Sequence, residues 1–218
     1  MNIIQEFDTI TAISTPLGTG GVGVIRISGE KSFNITEKIF TGKIVPRMIC
    51  HGWIVDNDKK IDEVVVLPFK NPNSYTGEDV IEIQCHGGVN VVKNILDIVL
   101  KNGARMAERG EFTKRAFLNK KLDLSQAEAV ADLIHSKTQN FAIQSAKNLS
   151  GVLAQKVNEI KKDIFETLSR IVAGIDFPED VAEPSYESLI SDFENQIEKI
   201  DNILSSAKSS NIMRQGIK

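Results

Sequence analysis

The hydrophobic pattern of the chain changes near residue 125, and this change constrains the fold more than any other feature. Before it, strand-like segments rich in β-branched residues alternate with short helical segments. After it, apolar residues recur at steps of three, four and seven, which is typical of amphipathic helices. The sequence therefore predicts an α+β region followed by an all-α region, joined within residues 108–134.

In the first region, the alternation of apolar and polar residues predicts a mixed sheet. The strands expected are 8–15, 22–28, 49–56, 61–69, 79–85 and 104–107, and the helices expected are 30–40 and 89–101. The polar turn at 57–60 predicts that the third and fourth strands form a hairpin.

The second region predicts long helices. Ser125 followed by Glu128 fits a capping box, so we expect a helix to begin there. Apolar spacing then continues to Ile175, and an unbroken helix of about 50 residues would span roughly 75 Å. The pattern alone fits one long helix or two helices broken near Gly151. Because the unbroken length exceeds a compact domain, we expect a break or kink at Ser150-Gly151. Pro184 and Ser185 open a further helix.

Composition excludes some classes of protein. With 41% apolar and 25% charged residues and a net charge of −3, the chain is typical of globular proteins and has no generally basic surface for nucleic acid. No apolar run reaches the roughly 18 residues of a membrane span, and the N-terminus has no signal-peptide pattern, so we expect no membrane contact and a cytoplasmic location. A local cluster of cations is nevertheless present at Arg109, Lys114, Arg115, Lys120 and Lys121.

Several familiar kinds of site are disfavoured. The glycine-rich segment 18–23 runs into a strand, whereas a dinucleotide-binding loop must run into a helix. No GxxxxGK[ST] phosphate loop occurs. The pairs Cys50-His51 and Cys85-His86 lack zinc spacing, so we expect two buried cysteines and no metal site. No catalytic nucleophile or acid–base group stands out.

Three charges remain on or beside apolar elements: Arg26, Glu82 and Lys121. Charges within half-buried strands are usually paired or used in binding. One interpretation is a structural Arg26–Glu82 ion pair, or two charges on a solvated face of the sheet. The other is a pocket in which a carboxylate accepts N–H bonds from an aminopyrimidine-like ring while the cations hold anionic groups. Pterins and folates combine these groups.

Several long segments closely resemble the tRNA-modification GTPase family called MnmE or TrmE. They are DTITAISTPLGTGGVGVIRISG, NSYTGEDVIEIQCHGG, GEFTKRAFLNKKLDLSQAEAVADLI and IDFPED, and they occur in the family's order over nearly the whole chain. The resemblance implies that residues 1–121 form an α+β domain, similar to the tetrahydrofolate-binding domain of aminomethyltransferases, that also makes a homodimer contact. Residues 122–214 are then the first, incomplete part of a helical domain.

The resemblance also implies a function. The one-carbon donor would be 5,10-methylene- or 5-formyl-tetrahydrofolate, and Arg26, Glu82 and Lys121 match the family's folate contacts. The family acts with the FAD-dependent partner MnmG (GidA) to build the aminomethyl or carboxymethylaminomethyl group at C5 of the wobble uridine of tRNA. The sequence ends at RQGIK, so residues 215–218 are expected to begin a GTPase domain that this chain lacks, and GTP, Mg and K ions are expected only there.

Two alternatives remain open at this point. The chain could be a dimerisation and partner-docking module with no catalytic activity, or a stand-alone folate-dependent enzyme of the aminomethyltransferase kind. The absence of an evident catalytic acid or nucleophile weakens the enzyme alternative. We further expect the cations Lys114, Arg115, Lys120 and Lys121 to lie near phosphate or the glutamate tail of a folate.

Overall fold

The computed structural model describes the backbone of residues 8–215 and the side chains of residues 8–205. The chain divides between Leu122 and Asp123 into two compact units, called here the sheet unit and the helical unit. The expected start of a GTPase domain falls mostly on residues 216–218, which lie outside the described residues.

The sheet unit contains six strands and three helices within its described part. In chain order they are β1 (Ile10–Ile13), β2 (Val22–Ser28), α1 (Ser32–Ile39), β3 (Cys50–Asp56), β4 (Lys59–Phe69), β5 (Val80–His86), α2 (Val89–Lys101), β6 (Arg105–Met106) and α3 (Glu111–Leu118). The strands form one sheet in the order β3-β4-β5-β2-β1-β6, and β6 is parallel to β1 while the other pairs are antiparallel. The predicted α+β class is confirmed.

The predicted β3–β4 hairpin forms with a turn tighter than the sequence suggested. Asn57 and Asp58 alone connect the strands, with φ of +45° and +66°. Both angles lie in the left-handed region that a type I′ hairpin turn requires, and Asn and Asp tolerate that region better than most residues. The two lysines expected in the turn, Lys59 and Lys60, instead begin β4.

The core of the sheet unit lies between one face of the sheet and the helices α1 and α2. The central strands contribute Ile25, Ile27, Ile81 and Ile83, all with 0% exposure. The predicted apolar stripe of α2 packs against them, and its members Val92, Ile95, Leu96 and Val99 are all buried.

Gly23, at the end of the glycine-rich segment, lies in β2 where that strand packs closely against α2. A Cβ atom at Gly23 would lie 2.5 Å from Cγ2 of Val92, so β2 and α2 approach each other too closely for any larger residue. The glycine at this position therefore serves the packing of helix on strand, in agreement with the sequence argument against a dinucleotide loop.

The helical unit contains four described helices: α4 (Leu124–Ile134), α5 (Gln139–Leu149), α6 (Val152–Asp176) and α7 (Tyr186–Gln215). The expected break at Gly151 is confirmed, and its φ is +85°. A second break between α4 and α5 was not predicted. Thr138 caps α5 there, and its hydroxyl accepts the backbone N–H of Phe141 at 3.2 Å.

The predicted capping box of α4 is wrong by two residues. Asp123 is the N-cap, its Oδ1 accepts the backbone N–H of Gln126 at 2.9 Å, and the Gln126 side chain accepts the N–H of Asp123. Ser125 donates its hydroxyl to Asp123 Oδ1 at 2.6 Å. The Asp123 carboxylate thus accepts both the N–H of Gln126 and the hydroxyl of Ser125, so the helix begins two residues earlier than Ser125 and Glu128 suggested.

Within the described residues, none of the helices has the length and apolar character needed to cross a membrane.

Candidate functional site

Arg26 and Glu82 lie directly opposite each other on the neighbouring antiparallel strands β2 and β5. Glu82 Oε1 accepts a hydrogen bond from Arg26 Nε at 2.8 Å and lies 2.7 Å from Arg26 Nη2. The side chains are 23% and 19% exposed, so the pair is only half-buried. The ion pair considered from the sequence therefore forms.

Two aromatic rings flank the guanidinium of Arg26. Its central carbon lies 4.9 Å from the ring centre of Tyr75 and 5.5 Å from that of Phe112. The Tyr75 hydroxyl is 2.9 Å from Thr113 Oγ1, which ties the loop carrying Tyr75 to α3. These cation–π contacts fix the guanidinium and leave it pointing at a single carboxylate oxygen.

A cleft of about 270 Å³ opens beside this pair. It is lined by Phe69, Asn73, Ser74, Tyr75, Val80 and Glu82. The hydrogen bond from Arg26 Nε and the ion-pair contact of Nη2 both involve Oε1 of Glu82, and Oε2 accepts no hydrogen bond from the part of the chain that is described. The cleft therefore offers an apolar and aromatic wall with a carboxylate acceptor, which suits a flat ring bearing N–H groups.

The loop between β4 and β5, residues 70–79, is held by a buried ionic network. Arg115 is only 2% exposed, and its guanidinium contacts Glu78 at 3.2 Å and Glu111 at 3.0 Å. Glu78 also accepts the hydroxyl of Ser28 at 2.6 Å. Arg115 thus secures the loop that carries Tyr75. The sequence predicts that Arg115 lies near phosphate or the glutamate tail of a folate, whereas in the structure two carboxylates bind its guanidinium inside the fold.

Glu111 joins this network to the surface. Arg105 Nη2 donates to it at 2.8 Å, and Arg115 donates to the same oxygen. The hydrogen bond from Arg105, with help from the backbone N–H of Glu108 and from Arg115, lowers the pKa of Glu111 to about 2, although partial burial opposes the shift. The carboxylate is therefore ionised throughout the physiological range.

Lys121 contacts this loop rather than the ion pair. Its Nζ donates to the backbone carbonyl of Pro72 at 3.1 Å, and its side-chain methylenes pack over Gly77. The structure thus brings Arg26 and Glu82 into direct contact, while Lys121 contacts the loop that bears Tyr75.

Both cysteines are buried, as predicted. Burial is the main reason that the pKa of the Cys85 thiol rises to about 11, which makes it a poor nucleophile. His86 is held by Asp62, whose carboxylate accepts its backbone N–H at 2.8 Å and lies 2.7 Å from its Nδ1. Among the residues that the structure describes, no three His, Cys, Asp or Glu side chains form a group able to hold a metal ion.

A larger cleft of about 730 Å³ lies between α6 and α7, but its chemistry is different. Lys199 binds Asp163 at 2.6 Å, Arg170 binds Asp192, and Gln196 donates to the hydroxyl of Thr167 at 3.0 Å. Because these polar groups satisfy one another across the helix pair, this cleft is a weaker candidate for ligand binding than the cleft beside Glu82.

Comparison with known proteins now identifies the family. Residues 9–121 match the family described as the GTP-binding protein TrmE N-terminus, and residues 124–218 match the MnmE helical domain. The chain belongs to the MnmE (TrmE) family.

Its relatives include proteins named tRNA modification GTPase MnmE. That of Caldicellulosiruptor saccharolyticus is 47% identical over 98% of this chain and 49% of its own length. Those of Lactococcus lactis subsp. cremoris and Thermotoga maritima are 42% and 44% identical, over 100% and 97% of this chain and 49% and 47% of their own lengths. This MnmE-family chain thus spans about half the length of the curated relatives it matches.

Sequence reasoning did not find the residues that support the pair. Tyr75 and Phe112 flank Arg26, and Glu78 and Arg115 anchor the loop. One sequence signal indicated that the charge of Arg115 is paired: Glu111 and Arg115 are spaced i, i+4 on a short helix, where opposite charges form an ion pair. The pairing of Arg115 with Glu78, 37 residues away, has no counterpart in local sequence.

Proposed function

We propose that this chain is the folate-binding and helical part of a tRNA-modifying GTPase. In this proposal the sheet unit binds a tetrahydrofolate one-carbon donor in the Glu82 cleft and forms a homodimer. A flavoprotein partner, MnmG (GidA), then acts with it in the cytoplasm to add the (carboxymethyl)aminomethyl group at C5 of wobble uridine. GTP, Mg and K ions belong to the GTPase domain of the longer protein.

The observation that carries the folate proposal is the unused oxygen of Glu82. An aminopyrimidine ring presents adjacent N–H donors, and a carboxylate lining a cleft is the matching acceptor. Arg26 orients that carboxylate through Oε1, and Tyr75 supplies an aromatic wall for the ring. Lys121, which contacts the loop that carries Tyr75, is assigned the role of binding the anionic glutamate tail of the folate.

Titration with 5-formyltetrahydrofolate, followed by calorimetry, tests this assignment. Glu82→Gln keeps the shape of the side chain but removes its charge, and we expect binding to weaken by roughly 10- to 100-fold. Glu63→Gln is the matched control, because Glu63 is also a strand glutamate, with a 47% exposed side chain paired to His51. Equal folate affinity in wild type and a folded Glu82→Gln protein would contradict the assignment.

A second candidate function, docking of a protein partner, is favoured by the helical unit. Its helices α6 and α7 expose large apolar side chains, among them Phe165, Leu168, Ile175, Tyr186 and Ile197. Exposed apolar area of this kind is typical of interaction surfaces. The two functions are compatible, because they use different units of the chain.

A further inference from the structure

At the C-terminal end of α3, a lysine occupies a position with a left-handed backbone conformation, which is unusual for this residue type. Lys120 follows the C-cap Asn119 and has a φ of +59°. Its N–H bonds to the carbonyl of Phe117 at 3.0 Å, and the N–H of Lys121 bonds to that of Ala116 at 2.8 Å. These two bonds define a Schellman motif, in which the left-handed position normally belongs to glycine.

Helix α2 in the same unit ends with the same motif and the usual residue. Gly103, with a φ of +107°, bonds to the carbonyl of Leu100 at 3.1 Å, and Ala104 bonds to that of Val99 at 3.4 Å. Helix α5 likewise ends in a left-handed residue that is a glycine, Gly151. A left-handed conformation costs an L-residue stability, so the lysine at the end of α3 is retained at a cost.

Lys120 adjoins an exposed cationic and apolar surface. Lys114, Phe117 and Leu118 are spaced i, i+3 and i+4, so they are neighbours on one face of α3. Phe117 is 39% exposed and Leu118 is 44% exposed. We call Lys114, Phe117, Leu118 and Lys120 the α3 surface.

The charge of the α3 surface is not neutralised by the protein. Lys114 and Lys120 are exposed, and neither pairs with a carboxylate within the described residues. The nearby acids Glu78 and Glu111 are instead engaged by Arg115 on the buried side of the same helix. In a chain whose net charge is −3, this leaves a local excess of positive charge around an exposed aromatic ring.

We propose that the α3 surface binds an unpaired segment of RNA, with a base stacked on Phe117 and flanking phosphates held by Lys114 and Lys120. Aromatic rings beside cations are the standard means of binding single-stranded nucleic acid, because every base offers a flat face and each nucleotide carries a phosphate. The inference rests on the proposed function, in which the longer protein acts on tRNA. It concerns a different surface from the folate cleft.

The test measures fluorescence anisotropy of labelled, unfractionated bacterial tRNA and of a labelled oligouridylate at several salt concentrations. Removing both lysine charges with Lys114→Gln and Lys120→Gln should weaken binding and reduce the slope of log affinity against log salt by about 1.4, since each single-strand phosphate contact contributes about 0.7. Phe117→Leu keeps an apolar side chain and should weaken binding roughly tenfold through lost stacking.

A charge-relocated variant separates this surface from net charge. Lys120→Gly combined with Gly103→Lys moves one lysine from the end of α3 to the end of α2, where a new Cβ meets no atom within 4 Å. The net charge stays the same, and so does the number of lysines at positions with a left-handed backbone conformation. We expect tRNA affinity to fall as in Lys120→Gly alone. Affinity equal to wild type would overturn the proposal, because binding would then depend on overall charge.

Stability and folate binding provide independent readouts. Lys120→Gly alone should raise the thermal midpoint by a few degrees while it lowers tRNA affinity, which a purely structural lysine would not do. All α3-surface variants should keep the wild-type affinity for 5-formyltetrahydrofolate, whereas Glu82→Gln should lose folate but keep tRNA. Failure of folate binding alone therefore refutes the folate site and leaves the RNA surface standing.

Three outcomes overturn the RNA proposal. The first is a wild-type chain that binds folate but neither RNA probe. The second is RNA affinity unchanged in every α3-surface variant. The third is binding of a labelled poly-glutamate peptide that these variants abolish while RNA affinity stays the same, which would identify the surface as a site for an acidic protein.

Discussion

The sheet unit and the helical unit differ in how they use their apolar residues. In the sheet unit, the isoleucines of β2 and β5 are fully covered by α1 and α2. In the helical unit, the described buried apolar residues are Ala129, Phe141 and Ile160, while much of the apolar stripe of α6 and α7 stays exposed. A sheet covered on one face encloses a core by itself, whereas two long helices cover only a narrow strip of each other.

The two units differ in the same way in their ion pairs. Arg115 of the sheet unit is buried between two carboxylates, while Arg170 of the helical unit is 49% exposed beside Asp192. A buried charge depends on its partners, because water cannot replace them, whereas an exposed charge is solvated in either case. The position of a charge, rather than the presence of a partner, therefore decides its contribution to stability.

The largest expected effect comes from removing the buried arginine. Arg115→Ala leaves Glu78 and Glu111 without their buried counter-charge and should lower the unfolding free energy of the sheet unit by roughly 3–5 kcal/mol. Arg170→Ala is the exposed counterpart, and its cost should stay within about 1 kcal/mol. Trp53 is the single tryptophan of the chain and lies in β3, so its fluorescence during urea unfolding reports on the sheet unit. Far-UV circular dichroism follows the helices.

The next effect tests the difference between the two cores. Ile83→Ala creates a cavity in the core of the sheet unit and should cost roughly 2–5 kcal/mol. Leu168→Ala removes a side chain that is 53% exposed on α6, and its cost should stay within about 0.5 kcal/mol. Similar losses for both variants in urea titrations would mean that the exposed stripe of α6 is buried in solution.

Acid should destabilise the sheet unit through Glu111. Its pKa is about 2 in the folded chain against 4.5 normally, chiefly because of the hydrogen bond from Arg105. Between these values the unfolded chain binds more protons, so the stabilisation is complete above pH 4.5 and is lost as the pH falls toward 2. Glu111→Gln should flatten this dependence, monitored by Trp53 fluorescence. Glu166→Gln, at an exposed helical pair, should leave it unchanged.

Local patterns predicted the elements that local interactions determine. The bounds of β2 and α2 agree with the sequence expectation, because Ser28 is followed by a glycine and α2 ends at Asn102 and Gly103. The break between α4 and α5 was missed because the segment contains no glycine or proline. Thr138 was the available signal, but a threonine within an apolar pattern also fits a continuous helix.

The candidate site was predictable only in part. Arg26 and Glu82 were recognisable because a charge within an apolar strand needs an explanation, and the strand pairing brings them together. The role of Arg115 was not recognisable, because a lysine- and arginine-rich segment gives no indication of which cation points inward. Burial of Arg115 depends on Glu78 from a distant loop, and only the tertiary structure determines that contact.

The smallest expected effect distinguishes the observed helix cap from the predicted one. Asp123→Ala removes the acceptor for the N–H of Gln126 and should lower the stability of the helical unit by about 1 kcal/mol. The hydrogen bond from the Ser125 hydroxyl is the chief reason that the pKa of Asp123 is lowered. Ser125→Ala keeps the Asp123 carboxylate, so it should destabilise the helical unit less than Asp123→Ala does. Glu128→Ala should have almost no effect, because Gln126 occupies the reciprocal position of the box. Thermal unfolding followed by circular dichroism ranks the three variants, and a larger loss for Glu128→Ala than for Asp123→Ala would place the start of α4 at Ser125 in solution.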